Sequence, residues 1–196
     1  MGAVFFVSQV QADLDYFNPS GVHNGKDAKY QFGNVYTCSD PAGTPVTTQA
    51  GLSKTTPALV LHNVSTSTVV LGILDIGIDV TASPGAAAGF MLAVSSVVSA
   101  GPNNITAMTY GVQQNAFTGV VSTGTAMCYS ISTLPYTPYA VRYLGGTTGA
   151  SAIGGVRLVD PTQDRVLVSP GTAVSIQATS AAAIIAHITY EEIPFP

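Results

Sequence analysis

Residues 69-VVLGILDIGIDV-80 decide how this chain folds. Written as an extended backbone, Val70, Leu74, Ile76, Ile78 and Val80 fall on one side, and Asp75, Gly77 and Asp79 on the other. Successive side chains of a strand point to opposite faces, so this alternation predicts a strand with one buried face.

The same period recurs on both sides of this segment. Tyr30–Thr37 is rich in strand-forming aromatics, and the Pro/Gly/Thr-rich stretch 40–57 reads as a loop. Pro57–Val64 predicts a short strand ended by Asn63. Ser83-Pro84-Gly85 marks a turn, after which Ala88–Val98 returns as a strand. Ala126–Ser132, Tyr139–Leu144, Arg157–Val159 and Arg165–Val168 are further short candidates. Thr172–Thr179 alternates with Val174, Ile176 and Ala178 inward, and Ile184–Glu192 with Ile184, Ala186, Ile188 and Tyr190 on one face. Residues 99–125, with Gly101-Pro102-Asn103-Asn104, hold too many turn residues to assign. About eight to ten strands, no helix and Gly/Pro turns predict an all-β fold, a sandwich or barrel. An eight-stranded jelly-roll β-sandwich suits the length.

Residues 1–29 stand apart. They carry Asp13, Asp15, Lys26 and Asp27, with turn signals at Asn18-Pro19 and Asn24-Gly25. They read as a short N-terminal arm or peripheral segment, before a single β-sandwich over 30–196. Their alternative reading is a loosely packed terminus.

Charge is the unusual quantity. Only 8% of the 196 residues are Asp, Glu, Lys or Arg, against about 25% in an ordinary globular protein. Interface cores are depleted in charge, so the composition predicts a surface largely covered by neighbouring subunits. Six basic residues without a cluster argue against direct contact with nucleic acid. No apolar run approaches the roughly 20 residues that span a bilayer, and Met1–Val7 lacks the basic start of a signal peptide. No membrane role is expected.

His23, His62 and His187 stand singly, without the close spacing that seeds a metal site. Asp75 and Asp79 share a strand face and could form an acid pair, but sugar-cleaving sites set such pairs among aromatic walls and this chain has no Trp. They read as solvent-facing carboxylates, and Glu191-Glu192 as a solvated strand end. Gly25-Lys26 is followed by Asp27, and the Gly-rich stretch from Leu144 to Gly155 precedes no helix, so neither makes a phosphate cradle. Asn63-Val64-Ser65 and Asn104-Ile105-Thr106 match the glycosylation pattern, as chance allows in so Ser/Thr-rich a chain. Cys38 and Cys128 could close one disulfide, but a framework needs more cysteines. The reading adopted is two inert thiols. No catalytic, cofactor-binding or metal residue is assigned, and no cofactor or enzymatic activity is expected.

Two stretches carry a resemblance. Pro57–Val80, continuing into Gly85–Val94, joins a strand, an Asn-containing turn, a long strand and a Gly/Ala-rich turn. Ser169–Pro194 joins a Pro-Gly turn, an alternating strand, an Ala-rich turn and an aromatic-Glu-Glu strand. Together they cover about a third of the chain and resemble the jelly-roll cement, or decoration, proteins of tailed bacteriophages, with Tyr190 where a Trp is more usual. The resemblance implies a homotrimer on the outer surface of the capsid that clamps the phage major capsid protein. It carries over no site residues. The alternative is a phage tail fibre or baseplate module binding a host surface glycan, for which Tyr136, Tyr139 and Tyr143 are the candidates. A cupin-like enzyme is disfavoured by the missing histidine pair.

Overall fold

The computed structural model describes residues 35–41, 44–55, 57–82, 86–96, 106–110, 112–115, 124–148, 156–161 and 166–194. The arm expected at 1–29, His23, and Asn104 and Ile105 lie outside them. Among the described residues there is no helix. Thirteen strands form two antiparallel sheets.

The first sheet runs β10 (Val156–Pro161), β4 (Val69–Val80), β13 (Ala183–Pro194), β1 (Val35–Ser39) and β7 (Val112–Asn115). The two-residue strands β2 (Val46–Thr47) and β11 (Leu167–Val168) flank it. The second runs β6 (Thr106–Tyr110), β8 (Met127–Thr133), β3 (Val60–Asn63), β12 (Thr172–Ala178), β5 (Ala88–Ser96) and β9 (Tyr139–Thr147).

A nested pairing underlies this order. β1 pairs with β13, β3 with β12, β4 with β10 and β5 with β9, each pair antiparallel. Among these eight strands the first meets the last, the second the last but one, and so inward. These four pairs alternate between the two sheets.

The inward faces of the two sheets meet in one core, and the alternation explains why. Ile76, Ile78 and Val80 of β4 and Ile184, Ala186, Ile188 and Tyr190 of β13 enter it from one side. Leu61, Phe90, Leu92, Val174, Ile176 and Ala178 enter from the other. Tyr190 is fully buried and stacks on Tyr36 with ring centroids 5.6 Å apart. At about 25 cal/mol per Å² of apolar surface removed from water, these residues are the main stabilising term.

One sequence expectation fails inside β4. Asp75 is opposite Thr189 but Ile73 is opposite Tyr190, so Leu74 is an extra residue forming a β-bulge. The bulge reverses the parity, and Leu71 and Ile73 face the core in place of Val70. Leu74 is buried outside that core, and Val70 is only half-buried.

A second departure lies in the second sheet, whose outer face is also covered. Val60, Tyr129, Leu134 and Ala173 form a small separate apolar cluster there. The loop after β2 crosses this face, with the Ser53 N–H donating to Gln177 Oε1 (3.1 Å) and the Leu134 N–H to the Lys54 carbonyl (2.7 Å). Within 99–125, left unassigned by the sequence, lie β6 and β7.

The β11–β12 connection is the Pro-Gly turn expected from the sequence. Gly171 has φ +77° and the Thr172 N–H donates to the Ser169 carbonyl. Pro at the first central position and a positive-φ glycine at the second define a type II turn.

Candidate functional site

Asp75 and Asp79, read as solvent-facing carboxylates, stand four residues apart on β4 with the space between them occupied. Gly77 lies between Asp75 and Asp79 and is opposite His187 of β13. The imidazole sits over Gly77 so closely that a Cβ there would overlap the ring. His187 Nε2 is 3.4 Å from Asp75 Oδ2, with both side chains about 30% exposed. The result is a half-exposed His–Asp contact on the outer face of the first sheet, with Arg157 opposite Asp79 across the β10 register. No group of three or more His, Cys, Asp or Glu side chains that could hold a metal occurs among the described residues.

Three groups behave otherwise than the sequence reading expects. Cys38 and Cys128 are a disulfide, with Cα atoms 5.7 Å apart, not two inert thiols. β1 and β8 belong to different sheets and lie close enough at this point for the bond. Glu191 is not solvated but buried, over Gly72, whose Cβ would stand 3.0 Å from Glu191 Oε1. Glu192 Oε1 accepts hydrogen bonds from the backbone N–H of Thr125 (2.7 Å) and of Ala126 (3.3 Å) and from the Thr125 hydroxyl (3.1 Å), pinning the start of β8 to the end of β13.

Asn63 is no surface acceptor for a glycan. Its side chain is buried, and Nδ2 donates to the carbonyls of Val69 (2.8 Å) and Val168 (2.9 Å).

Asp40 escaped the sequence reading because it stands just past β1, in what reads as a loop. It is 3% exposed. Oδ1 accepts from the Ser130 hydroxyl (2.7 Å) and Oδ2 from the Ala186 N–H (2.9 Å), so one carboxylate ties β1, β8 and β13 together. Burial raises its pKa to about 6, against the lowering effect of the Ser130 and Ala186 hydrogen bonds. His62, at the centre of β3, is 1% exposed and its Nδ1 has no hydrogen-bond partner. Burial lowers its pKa to about 4, so the ring is neutral at pH 7. Both side chains are buried.

The surface offers more. Among the described strands β9 has no partner beyond β5, and it exposes Tyr139 (61%), Val141 and Tyr143 (67%), with Tyr136 exposed in the turn before it. Bulges in the β5–β9 pairing alter which side its residues take, so these are not one continuous stripe. Tyr136, Tyr139 and Val141 lie at the start of the strand. Tyr143 lies further along, beside an open groove of about 350 Å³. The three tyrosines singled out in the sequence are therefore on the surface, at two separate places.

No protein-family model matches the chain, and no curated protein matches it. Among solved structures, one titled as the structure of infectious bursal disease virus Gx strain is similar at 16% identity and a TM-score of 0.15. That likeness covers 83% of this chain and 40% of the viral one, and at such a score it carries no argument about fold or role.

Proposed function

We propose that this chain is a structural, non-enzymatic virion subunit: a jelly-roll cement protein. In this reading it acts as a homotrimer on the outer surface of a tailed-phage capsid and clamps subunits of the major capsid protein. The nested strand pairing supports the jelly-roll label, since a jelly roll is an eight-stranded antiparallel ribbon rolled into two sheets. The scarcity of charge supports a surface designed for contact, because interface cores are depleted in charged residues and enriched in tyrosine.

The observation that carries the reading is the start of β9. Tyr139 and Val141 are exposed on a strand that ends its sheet among the described strands, and Tyr136 is exposed in the turn before it. An open edge invites pairing with another chain, and proteins that stay alone blunt it with charge, proline or bulges; β9 carries two bulges against β5. Within β9 the single charged residue is Arg142 and there is no proline. Covering this corner with a neighbouring subunit buries aromatic surface and extends the sheet. Each clamp so formed stabilises the assembled shell by mass action.

The test is sedimentation with and without capsids. Isolated protein should run as a trimer and should bind capsids assembled without it. The double variant Tyr139→Ser/Val141→Ser should keep its β-sheet circular dichroism while losing trimer or capsid binding. A stable monomer that ignores capsids and adheres to host cells would replace this reading with a tail-fibre module.

A further inference from the structure

We propose that the groove at the far end of β9 is a binding site for a neutral carbohydrate. It is formed where β5, β9 and the end of β12 meet, and its chemistry comes from Gly89, Tyr143, Gly146, Thr147, Thr148 and Thr179. Gly89 and Gly146 face each other across the β5–β9 register. The Tyr143 ring covers them: a Cβ on Gly89 would stand 3.0 Å from its Cε2, and one on Gly146 would stand 2.7 Å from its hydroxyl. Two residues without side chains thus let the ring approach the sheet backbone closely while most of it stays open to solvent.

The hydroxyls beside the ring are held in place. Thr179 Oγ1 accepts the Gly89 N–H (2.8 Å) and Thr147 Oγ1 accepts the Ala88 N–H (3.4 Å). A hydroxyl anchored through one lone pair keeps its own proton to donate and a second lone pair to accept. The groove therefore offers an exposed aromatic ring flanked by positioned hydroxyls, the combination that suits a pyranose ring, with its apolar face of C–H groups and its rim of hydroxyls. About 350 Å³ falls in the range of small-ligand sites and suits a short oligosaccharide end.

Charge selects among ligands that stack on tyrosine. Among the described residues no Lys, Arg, Asp or Glu lines the groove. A nucleotide or a sulfated or sialylated sugar brings an anion that needs a cationic partner, so an uncharged sugar fits best. The groove lies away from the Tyr136–Val141 corner, and its role does not depend on the cement reading.

Saturation-transfer NMR on the full chain decides this, with maltohexaose, cellohexaose and chitotetraose as probes and sialyllactose as the charged control. At least one neutral oligosaccharide should bind saturably at millimolar concentrations, and sialyllactose should not. Tyr143→Phe should keep the affinity within a fewfold, whereas Tyr143→Ala should lower it about tenfold or more. Thr148→Val should weaken it severalfold. Because Tyr143 and Thr148 are exposed, circular dichroism should be unchanged in each variant. Saturable binding to none of the neutral probes, equal binding of the charged control, or binding indifferent to Tyr143→Ala would overturn the proposal. Unchanged trimer and capsid binding in Tyr143→Ala would separate this site from the assembly surface.

Discussion

Cys38 of β1 and Cys128 of β8 are 90 residues apart in sequence and bonded across the two sheets. The bond closes a long loop, and constraining such a loop in the unfolded chain stabilises the fold by about 4–5 kcal/mol on the chain-entropy model. Reduction, or the double replacement Cys38→Ala/Cys128→Ala, should therefore lower the free energy of unfolding by about 2–5 kcal/mol. Urea unfolding with and without reductant measures this. A change below about 1 kcal/mol would show that the sheets are held together by packing alone.

Asp40 and His62 act oppositely on stability as the pH changes. Asp40 has a folded pKa of about 6, above its ordinary 3.8, so burying its charge weakens the fold above pH 6, and the penalty is relieved as pH falls toward 3.8. His62 has a folded pKa of about 4, below its ordinary 6.5. Its contribution is intact above pH 6.5 and is lost as pH falls toward 4. Each shift corresponds to about 3 kcal/mol, so between pH 6 and 4 the two nearly cancel.

Single variants should expose each slope. Asp40→Asn keeps both hydrogen bonds, because its carbonyl can accept the Ala186 N–H and its amide can donate to the Ser130 hydroxyl. That variant should be as stable as the parent or more so at pH 7, and should lose about 3 kcal/mol on going to pH 4. His62→Leu should gain stability over the same interval. Urea midpoints at a series of pH values check both.

Gly77→Ala tests the His187 contact. In a strand this change ordinarily stabilises by restricting the unfolded chain. Here the new Cβ meets the imidazole, and displacing the ring should make the variant about 1–2 kcal/mol less stable. His187→Ala alone removes a half-exposed His–Asp contact and should cost under about 1 kcal/mol. With both changes the penalty of the first should vanish, a coupling that a double-mutant cycle reads directly.

Much of the fold is legible in the sequence where one face of a strand is buried and the other is not. β12 and β13 occupy the positions their alternation indicates, and Val174, Ile176, Ala178, Ile184, Ala186, Ile188 and Tyr190 all face the core. Alternation stops being informative where both faces are covered, as around Ser175 and Gln177, which are buried polar residues beneath the loop after β2. It is equally silent on contacts distant in sequence. Nothing in the spacing of Cys38 and Cys128 shows that two strands of opposite sheets meet there, and Asp40 is buried by strands that follow it by 90 residues and more. The Tyr143 groove was half visible: the aromatic could be named, but the glycine floor and the threonines come from three strands.

The bulge at Leu74 gives the sharpest test of the architecture, because it makes the two ends of β4 obey opposite parities. Read as unbroken alternation, the strand places Val70 with Ile76 in the core and Leu71 outside. The pairing with β13 places Leu71 and Ile73 in the core with Ile76, leaving Val70 half-buried. A buried, unpaired carboxylate is among the most damaging single changes, about 4 kcal/mol or more. Leu71→Asp and Ile76→Asp should both reach that level, or abolish folding. Val70→Asp should cost about 1–2 kcal/mol and Asp75→Asn under about 1. If Val70→Asp proves as severe as Ile76→Asp while Leu71→Asp is tolerated, the strand runs without a bulge. Its register against β13 beyond Asp75 would then be shifted by one residue, which turns every side chain there to the other face.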